Sequence, residues 1–239
     1  ASTKRAKLVF EYLLDEGVAP EELKRVHSPA GLDFAGKTPE EIASFYTQSF
    51  YQDESKLNII PAHSFPKASE FVPKMVEMIN HLLQTGHAYK VEGNIYFNVS
   101  TFPHYGALSG NSASALQQEM TTNVDPFKKD PRDFALWKAA EKGRQMKWES
   151  PWGEGFPGWH IECSAMSTYY LGQEQDIHTG GVDNIFPHHE DEIAQSEAAS
   201  TKQYVKYWVH GQHLLANGIK MSKSTNNEIL LADLERRSI

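Results

Sequence analysis

Trp159-His160-Ile161-Glu162-Cys163-Ser164-Ala165-Met166-Ser167-Thr168-Tyr169-Tyr170-Leu171 opens the stretch that decides the fold. It reads as a helix over about 159–171. The residues after it alternate in kind: Asp176-Ile177-His178 is a short strand, 187–199 a helix, Tyr207-Trp208-Val209-His210 a strand, and Gln212-His213-Leu214-Leu215 another. Parallel strands need a crossover that a helix supplies, so this alternation favours an α/β class with a parallel sheet.

Upstream, the signals are local and specific. Thr38-Pro39-Glu40-Glu41 places a capping threonine, a proline at the first helical position and a glutamate at the third. Apolar Ile42, Phe45, Tyr46 and Phe50 follow at helical spacing, so this helix is expected to pack on the core. Val72, Met75, Val76, Ile79, Leu82 and Leu83 define a second amphipathic helix that ends near Gly86. Tyr89 to Val99 alternates around Glu92-Gly93-Asn94 and reads as a hairpin. Residues 104–130 are polar and turn-rich, an excursion from the main domain, and Asp133 to Lys138 returns as a short buried strand.

Composition bounds the function classes. The chain has 239 residues, enough for one large core or one core with a satellite domain. It is 40% hydrophobic and 23% charged, with no apolar run long enough to span a bilayer and no signal-peptide core, so a water-soluble cytoplasmic protein is expected. A net charge of -8 argues against coating nucleic acid by bulk electrostatics, though a local basic groove remains compatible with it. One cysteine excludes an internal disulfide and fits a reducing compartment.

That cysteine, Cys163, precedes Phe186-Pro187-His188-His189-Glu190-Asp191-Glu192. His188 and Glu192 lie one helical turn apart and leave the same face. With Cys163 near the start of another helix, where the dipole favours thiolate, they offer sulfur, nitrogen and oxygen to a tetrahedral zinc ion. Spacing leaves the plainer reading open: a lone cysteine as a small hydrophobe and a His/Glu pair on a helix surface. Ile193 stands where a zinc protease needs its second histidine, so the His-Glu-x-x-His pattern fails. Downstream, Lys220-Met221-Ser222-Lys223-Ser224 follows Asn217-Gly218; two lysines and two hydroxyls suit a polyphosphate whose charge builds as pyrophosphate leaves, and a solvated basic turn is the alternative.

Taken together and in order, these residues resemble the cysteinyl-tRNA synthetase family of class I aminoacyl-tRNA synthetases. The likeness runs from about residue 38 and includes Tyr105-Gly106-Ala107-Leu108-Ser109, Asp133 to Trp137, Ser150-Pro151-Trp152-Gly153, Gly158 to Met166, Asp176 to Glu197 and the Lys220 loop. The resemblance implies a Rossmann-like (HUP-type) parallel sheet with helices on both faces and an inserted connective peptide. It implies a helical lead-in over 1–87, a connective-peptide-like insertion over 88–132, and the second half of the nucleotide-binding catalytic domain over 133–239. It makes Cys163, His188 and Glu192 zinc ligands, Lys223 the ATP-contacting lysine with Lys220 assisting, Trp159 and His178 the lining of the amino-acid pocket, and Gly181 and Asp183 contacts of the adenylate. Trp159 as core filler, His178 as a satisfied strand-end histidine and Asp183 as a helix cap are the structural alternatives.

The implied activity is cysteine–tRNA ligation: L-cysteine and ATP, with Mg2+, give cysteinyl-adenylate, and the amino acid passes to tRNA(Cys). Serine and cysteine differ by one atom, which a shape-based pocket separates poorly, whereas zinc binds the soft thiolate and sorts them by bond chemistry. The chain departs from the family pattern at both ends. No cysteine and no His-Ile-Gly-His signature precede residue 38, and nothing beyond Ile239 provides an anticodon-binding domain, so a catalytic-domain fragment is expected. The alternatives are a tRNA-independent cysteine ligase of the mycothiol-pathway type, against which Glu192 and the Ile193 to Glu197 run speak, and a non-catalytic zinc- or cysteine-binding remnant.

Overall fold

The computed structural model describes residues 37–111, 125–222 and 227–237. In chain order its elements are α1 (Pro39–Lys56), α2 (Ala68–Gln84), β1 (Ala88–Val91), β2 (Asn94–Phe97), β3 (Phe134–Ala139), β4 (Gly155–Pro157), α3 (Trp159–Leu171), β5 (Gln175–Gly181), α4 (Glu190–Ser200), β6 (Val205–Gly211), β7 (Leu215–Ala216), β8 (Ile219–Lys220) and α5 (Leu231–Arg236). They fall into two compact units, one of Phe65–Leu214 and one of Ala1–Ser64 with Leu215–Ile239.

In the Phe65–Leu214 unit, α2 buries Val72, Met75, Ile79 and Leu82, the three-and-four spacing that places them on one face. The helix ends at Thr85, and Gly86 takes a left-handed φ of +82° that redirects the chain into β1. β1 and β2 form the expected hairpin. Glu92 (φ 48°) and Gly93 (φ 82°) make a two-residue turn of the kind whose twist matches the flanking strands, with Val91 paired to Asn94. β3 and β4 add antiparallel to this hairpin, giving a sheet in the order β1-β2-β3-β4.

One face of that sheet supplies the core. Ile95, Phe97, Phe134 and Leu136 pack with α2, with Ile161 and Ala165 of α3 and with Ala194 and Ala198 of α4. Phe97 and Phe134 stack at 4.9 Å across adjacent strands, a cross-strand aromatic pair of the kind that fixes register. The parallel pairing expected from the alternation lies in β5 and β6, which run in register from Gln175 opposite Val205 to Gly181 opposite Gly211. α4 lies between them in the chain and makes the crossover that a parallel pair requires.

In the other unit, the capping box of α1 forms as read: Thr38 Oγ1 accepts from the Glu41 amide at 3.3 Å and Glu41 Oε2 accepts from the Thr38 amide at 2.8 Å. The apolar stripe does not pack as expected. Among the described residues of α1 only Ile42 is buried, while Phe45 and Tyr51 are exposed. Rings also associate along the helix, Phe45 edge-on to Tyr46 and Phe50 tilted against Tyr51. The strand expected at Gln212–Leu215 also differs: 212–214 are not strand, and Leu215–Ala216 pair with Ile219–Lys220 around Asn217 (φ 53°) and Gly218 (φ 78°). The Asn-Gly turn overrides the apolar run, because its left-handed residues fold the chain back at once.

No helix among the described residues is long and apolar enough to cross a membrane.

Candidate metal centre

α3 and α4 carry the centre. α3 starts at Gly158, whose amide donates to the Leu136 carbonyl of β3 at 2.9 Å, so the first turns of α3 are pinned to the sheet. Trp159, His160 and Cys163 lie on those turns. The chain enters α4 through a π-type turn at Ile185–His189, interrupted at Phe186, whose extended backbone has φ -135° and ψ 133°.

His188, His189, Glu190, Asp191 and Glu192 are five consecutive titratable residues, and all five are buried. Burying that much polarity is unfavourable unless each group finds partners. Glu190 accepts from the amides of Gly106 (3.0 Å) and Ser109 (2.7 Å). Asp191 accepts from the Tyr105 hydroxyl at 2.5 Å and faces His160 Nε2 at 3.1 Å. His160 Nδ1 meets His188 Nδ1 at 2.7 Å, and His189 Nδ1 meets His210 Nε2 at 2.8 Å. Glu192 has His178 Nε2 3.2 Å from Oε2 and the Tyr204 hydroxyl 3.4 Å from the same oxygen.

The other oxygen is the telling one. Glu192 Oε1 lies 2.7 Å from His188 Nε2, yet it is a buried acceptor without a hydrogen bond among the described residues. Distance satisfies a hydrogen bond and direction does not, as when two donor atoms face a common third point rather than each other. Cys163 Sγ completes the group: ligand atoms of Cys163, His188 and Glu192 all lie within 4.8 Å of one another. Thiolate, imidazole and carboxylate match zinc's ligand preferences, and three protein ligands leave a fourth tetrahedral position. The donor set therefore fits zinc. A second group, His178, His189 and Glu192, meets the same distance limit. It lacks sulfur, and His189 commits Nδ1 to His210, so the cysteine-containing group is the better cation site.

Electrostatics follow from burial. Removal from water pushes the Asp191 carboxyl well above the usual carboxylate range, against the Tyr105 hydrogen bond and the Lys128 charge. Burial, with the adjacent His188, holds His160 well below the ordinary imidazole value. The Tyr105 and Tyr204 hydroxyls are pushed upward, in each case by desolvation first and a neighbouring carboxylate second, and so act as neutral hydrogen-bond donors.

The expected site residues are distributed as follows. Cys163, His188 and Glu192 converge. Trp159 is 45% exposed and stacks on His188 at 4.4 Å, so it does not fill the core. His178 sits behind the carboxylate ligand, its ring against Trp208 at 4.8 Å. Gly181 ends β5, and a Cβ there would collide with the Asp183 carboxylate. Asp183 is exposed, and no helix cap in this region uses its side chain. Lys220 lies on β8 in the smaller unit; Asn227 bridges the loop after it, donating through Nδ2 to the Lys220 carbonyl at 3.2 Å and accepting from the Ser222 amide at 2.9 Å. Lys223 lies outside the described residues.

Sequence reading missed His160, Asp191, Glu190, Tyr105 and Tyr204. The available signal was the density of titratable residues in the 188–192 run, which resembles a solvated face until the helix is known to be buried. Tyr105 stood in a stretch that carries the family likeness, but nothing local tied it to Asp191, 86 residues away.

The chain as a whole belongs to a known class. The family model of the class I (C) tRNA synthetase catalytic domain matches residues 33–238, and the chain belongs to that family. A second family model, the XdhC Rossmann domain, matches residues 1–45. Among curated proteins, the chain is 50% identical over 197 residues to the cysteine–tRNA ligase of Chlorobium luteolum, covering 82% of this chain and 41% of that one. A cysteine–tRNA ligase of Thermus thermophilus is 50% identical over 196 residues, with 82% and 41% covered. The chain thus spans about two fifths of the length of these relatives.

Proposed function

We propose that this chain is the cysteine-selecting part of a cysteine–tRNA ligase, with zinc held by Cys163, His188 and Glu192. The observation that carries the reading is Glu192 Oε1: a buried carboxylate oxygen without a hydrogen bond among the described residues, 2.7 Å from His188 Nε2, on a residue that groups with Cys163 and His188. When bound, zinc supplies a position that a substrate thiolate fills and a serine hydroxyl does not, so discrimination needs no editing site. Trp159, stacked on His188 and half exposed, lines the side of that position, and His178 orients Glu192 from behind. His178 then acts on the pocket through the carboxylate it touches.

In the full reaction the cysteine carboxylate attacks the α-phosphate of ATP and pyrophosphate leaves, Mg2+ accompanying the nucleotide; transfer to tRNA(Cys) follows in the cytoplasm. Gly181 suits close approach of the adenylate, since it presents bare backbone at the end of a parallel strand, and exposed Asp183, two residues on, is the carboxylate for ribose hydroxyls. Lys220 and Lys223 neutralise the phosphates. The 88–132 segment is the connective insertion of this domain and 133–239 the second half of its nucleotide-binding part.

The test is cysteine-dependent exchange of pyrophosphate into ATP by the intact gene product, with zinc content measured in parallel. We expect exchange, about one zinc per chain, and loss of both in Cys163→Ser. Exchange without tRNA charging would favour the amine-ligase alternative. Zinc content unchanged in Cys163→Ser would overturn the site.

A further inference from the structure

We propose that Tyr105, Asp191 and His160 form a positioning relay that presents His188 to the metal through Nε2, making the segment Tyr105–Ser109 a structural support of the metal centre. The inference rests on the zinc reading above and extends it to residues that do not touch the ion.

Four groups stand in line. Tyr105 Oη donates to Asp191 Oδ1 at 2.5 Å, Asp191 Oδ2 faces His160 Nε2 at 3.1 Å, and His160 Nδ1 faces His188 Nδ1 at 2.7 Å. Two imidazole nitrogens at that separation share one hydrogen, and its side is set by what the chain does elsewhere. With Asp191 as the carboxylate and the Tyr105 hydroxyl given to Oδ1, Oδ2 accepts His160 Nε2–H. His160 Nδ1 is then the acceptor, and His188 Nδ1 must be the donor. A His188 protonated at Nδ1 carries its lone pair on Nε2, the nitrogen that lies 2.7 Å from Glu192 Oε1 in the group His188 forms with Cys163 and Glu192. Metal-binding histidines commonly have the other ring nitrogen fixed by a carboxylate; here the fixing carboxylate acts through a second imidazole.

The chain segment supplying the hydroxyl is anchored independently. Gly106 and Ser109 donate their amides to Glu190, the residue before Asp191, so Tyr105 is delivered by a loop tied to the same helix turn. Tyr105 also packs in a stacked geometry against Phe134 at 6.3 Å, and Phe134 lies edge-on to His160 at 6.0 Å, which holds both ends of the relay on β3. Glu190 and Asp191 thus divide the work. One clamps the loop and the other uses it.

This division supplies the test. Zinc affinity of the intact protein is measured by competition with a chromogenic chelator, and the ligand field by the visible absorption of the Co(II)-substituted protein. Asp191→Asn should weaken zinc binding about 10–100-fold, and Tyr105→Phe, which removes one hydroxyl and leaves the ring packing, should weaken it in the same direction and alter the Co(II) bands. Glu190→Gln, which keeps an acceptor oxygen for the Gly106 and Ser109 amides, should lower thermal stability and weaken zinc binding less than Tyr105→Phe does. Equal losses in Glu190→Gln and Tyr105→Phe would overturn the relay in favour of a purely structural loop. Wild-type protein that binds zinc no more tightly than Tyr105→Phe and Asp191→Asn would overturn the relay alone, whereas wild-type protein that binds neither metal would overturn the zinc reading with it.

Discussion

Gly158 and Ala135 approach so closely that no side chain fits between them: a Cβ on Gly158 would run into the Ala135 carbonyl oxygen and lie 2.9 Å from its carbonyl carbon. The obstacle is backbone, which cannot rotate away. Glycine at this position is what lets β4 pass into α3 while its amide bonds to Leu136.

Gly158→Ala therefore forces the start of α3 away from β3. Trp159, His160 and Cys163 all lie within five residues of the displaced point and move with it. The expected outcome is a loss of stability of roughly 1–3 kcal/mol by denaturant titration, together with weaker zinc binding. A variant as stable as wild type would show that the close approach is not tightly held.

Asp133 is fully buried and organises the turn into β3. It accepts from the Val99 amide at 3.0 Å, the Tyr89 hydroxyl at 2.7 Å and the Asp130 amide at 3.1 Å. Asp133→Ala leaves the buried Val99 amide without its acceptor, a cost of about 1–3 kcal/mol for that group alone. Tyr89→Phe should cost less, since Asp133 keeps its two amide donors. Chemical denaturation of the two variants gives the order; a larger loss in Tyr89→Phe would refute it.

Legibility of the sequence followed the range of the interactions involved. The capping box at Thr38, the hairpin at Glu92-Gly93 and the 159–171 helix were readable because each is decided by neighbours in sequence. The pair His188 and Glu192 was readable for the same reason, one helical turn setting its geometry. Cys163 was joined to them on donor chemistry, with the plainer reading left open, and the family resemblance then favoured the grouping, since no local pattern places residue 163 beside residue 188. Asp191 shows the limit: its neighbours in sequence are as acidic as a solvent-facing helix, and only the packing of α3, α4 and the Tyr105 segment makes it a buried acceptor. The α1 stripe failed in the opposite sense, for apolar periodicity says that a face can be buried, not that it is.

Asp130 gives a pH dependence of its own. Its carboxylate takes two bonds from the Arg132 guanidinium, Nε to Oδ1 at 2.9 Å and Nη2 to Oδ2 at 2.8 Å, and a third from the Arg132 amide to Oδ1 at 2.9 Å, and these hydrogen bonds, the guanidinium's first, hold its pKa below the ordinary 3.8. A carboxyl depressed in the folded state contributes stability that is present above its unfolded value and is lost as pH falls through the folded value. The pair should therefore stabilise the protein above about pH 4 and fade below it. In Asp130→Asn the acid limb of the thermal midpoint should be shallower than in wild type, with little difference below the folded pKa. Parallel acid limbs would mean that the pair contributes nothing to folding.

Glu192 should act in opposite directions with and without metal. Without a cation its Oε1 is a buried acceptor lacking a hydrogen bond, which opposes folding; with one, the same oxygen is a ligand. Zinc at a hundred times its dissociation constant should add about 2.7 kcal/mol to the wild-type stability, because it binds only the folded chain. Glu192→Gln removes the charge while keeping the shape, so the metal-free variant should be at least as stable as metal-free wild type, and most of the zinc increment should vanish. Thermal melts of both proteins, with zinc and after chelation, test the crossing directly. A variant that is less stable than wild type after chelation would mean that His178 and Tyr204 already compensate the carboxylate, and that the orphaned oxygen does not oppose folding in the way its geometry indicates.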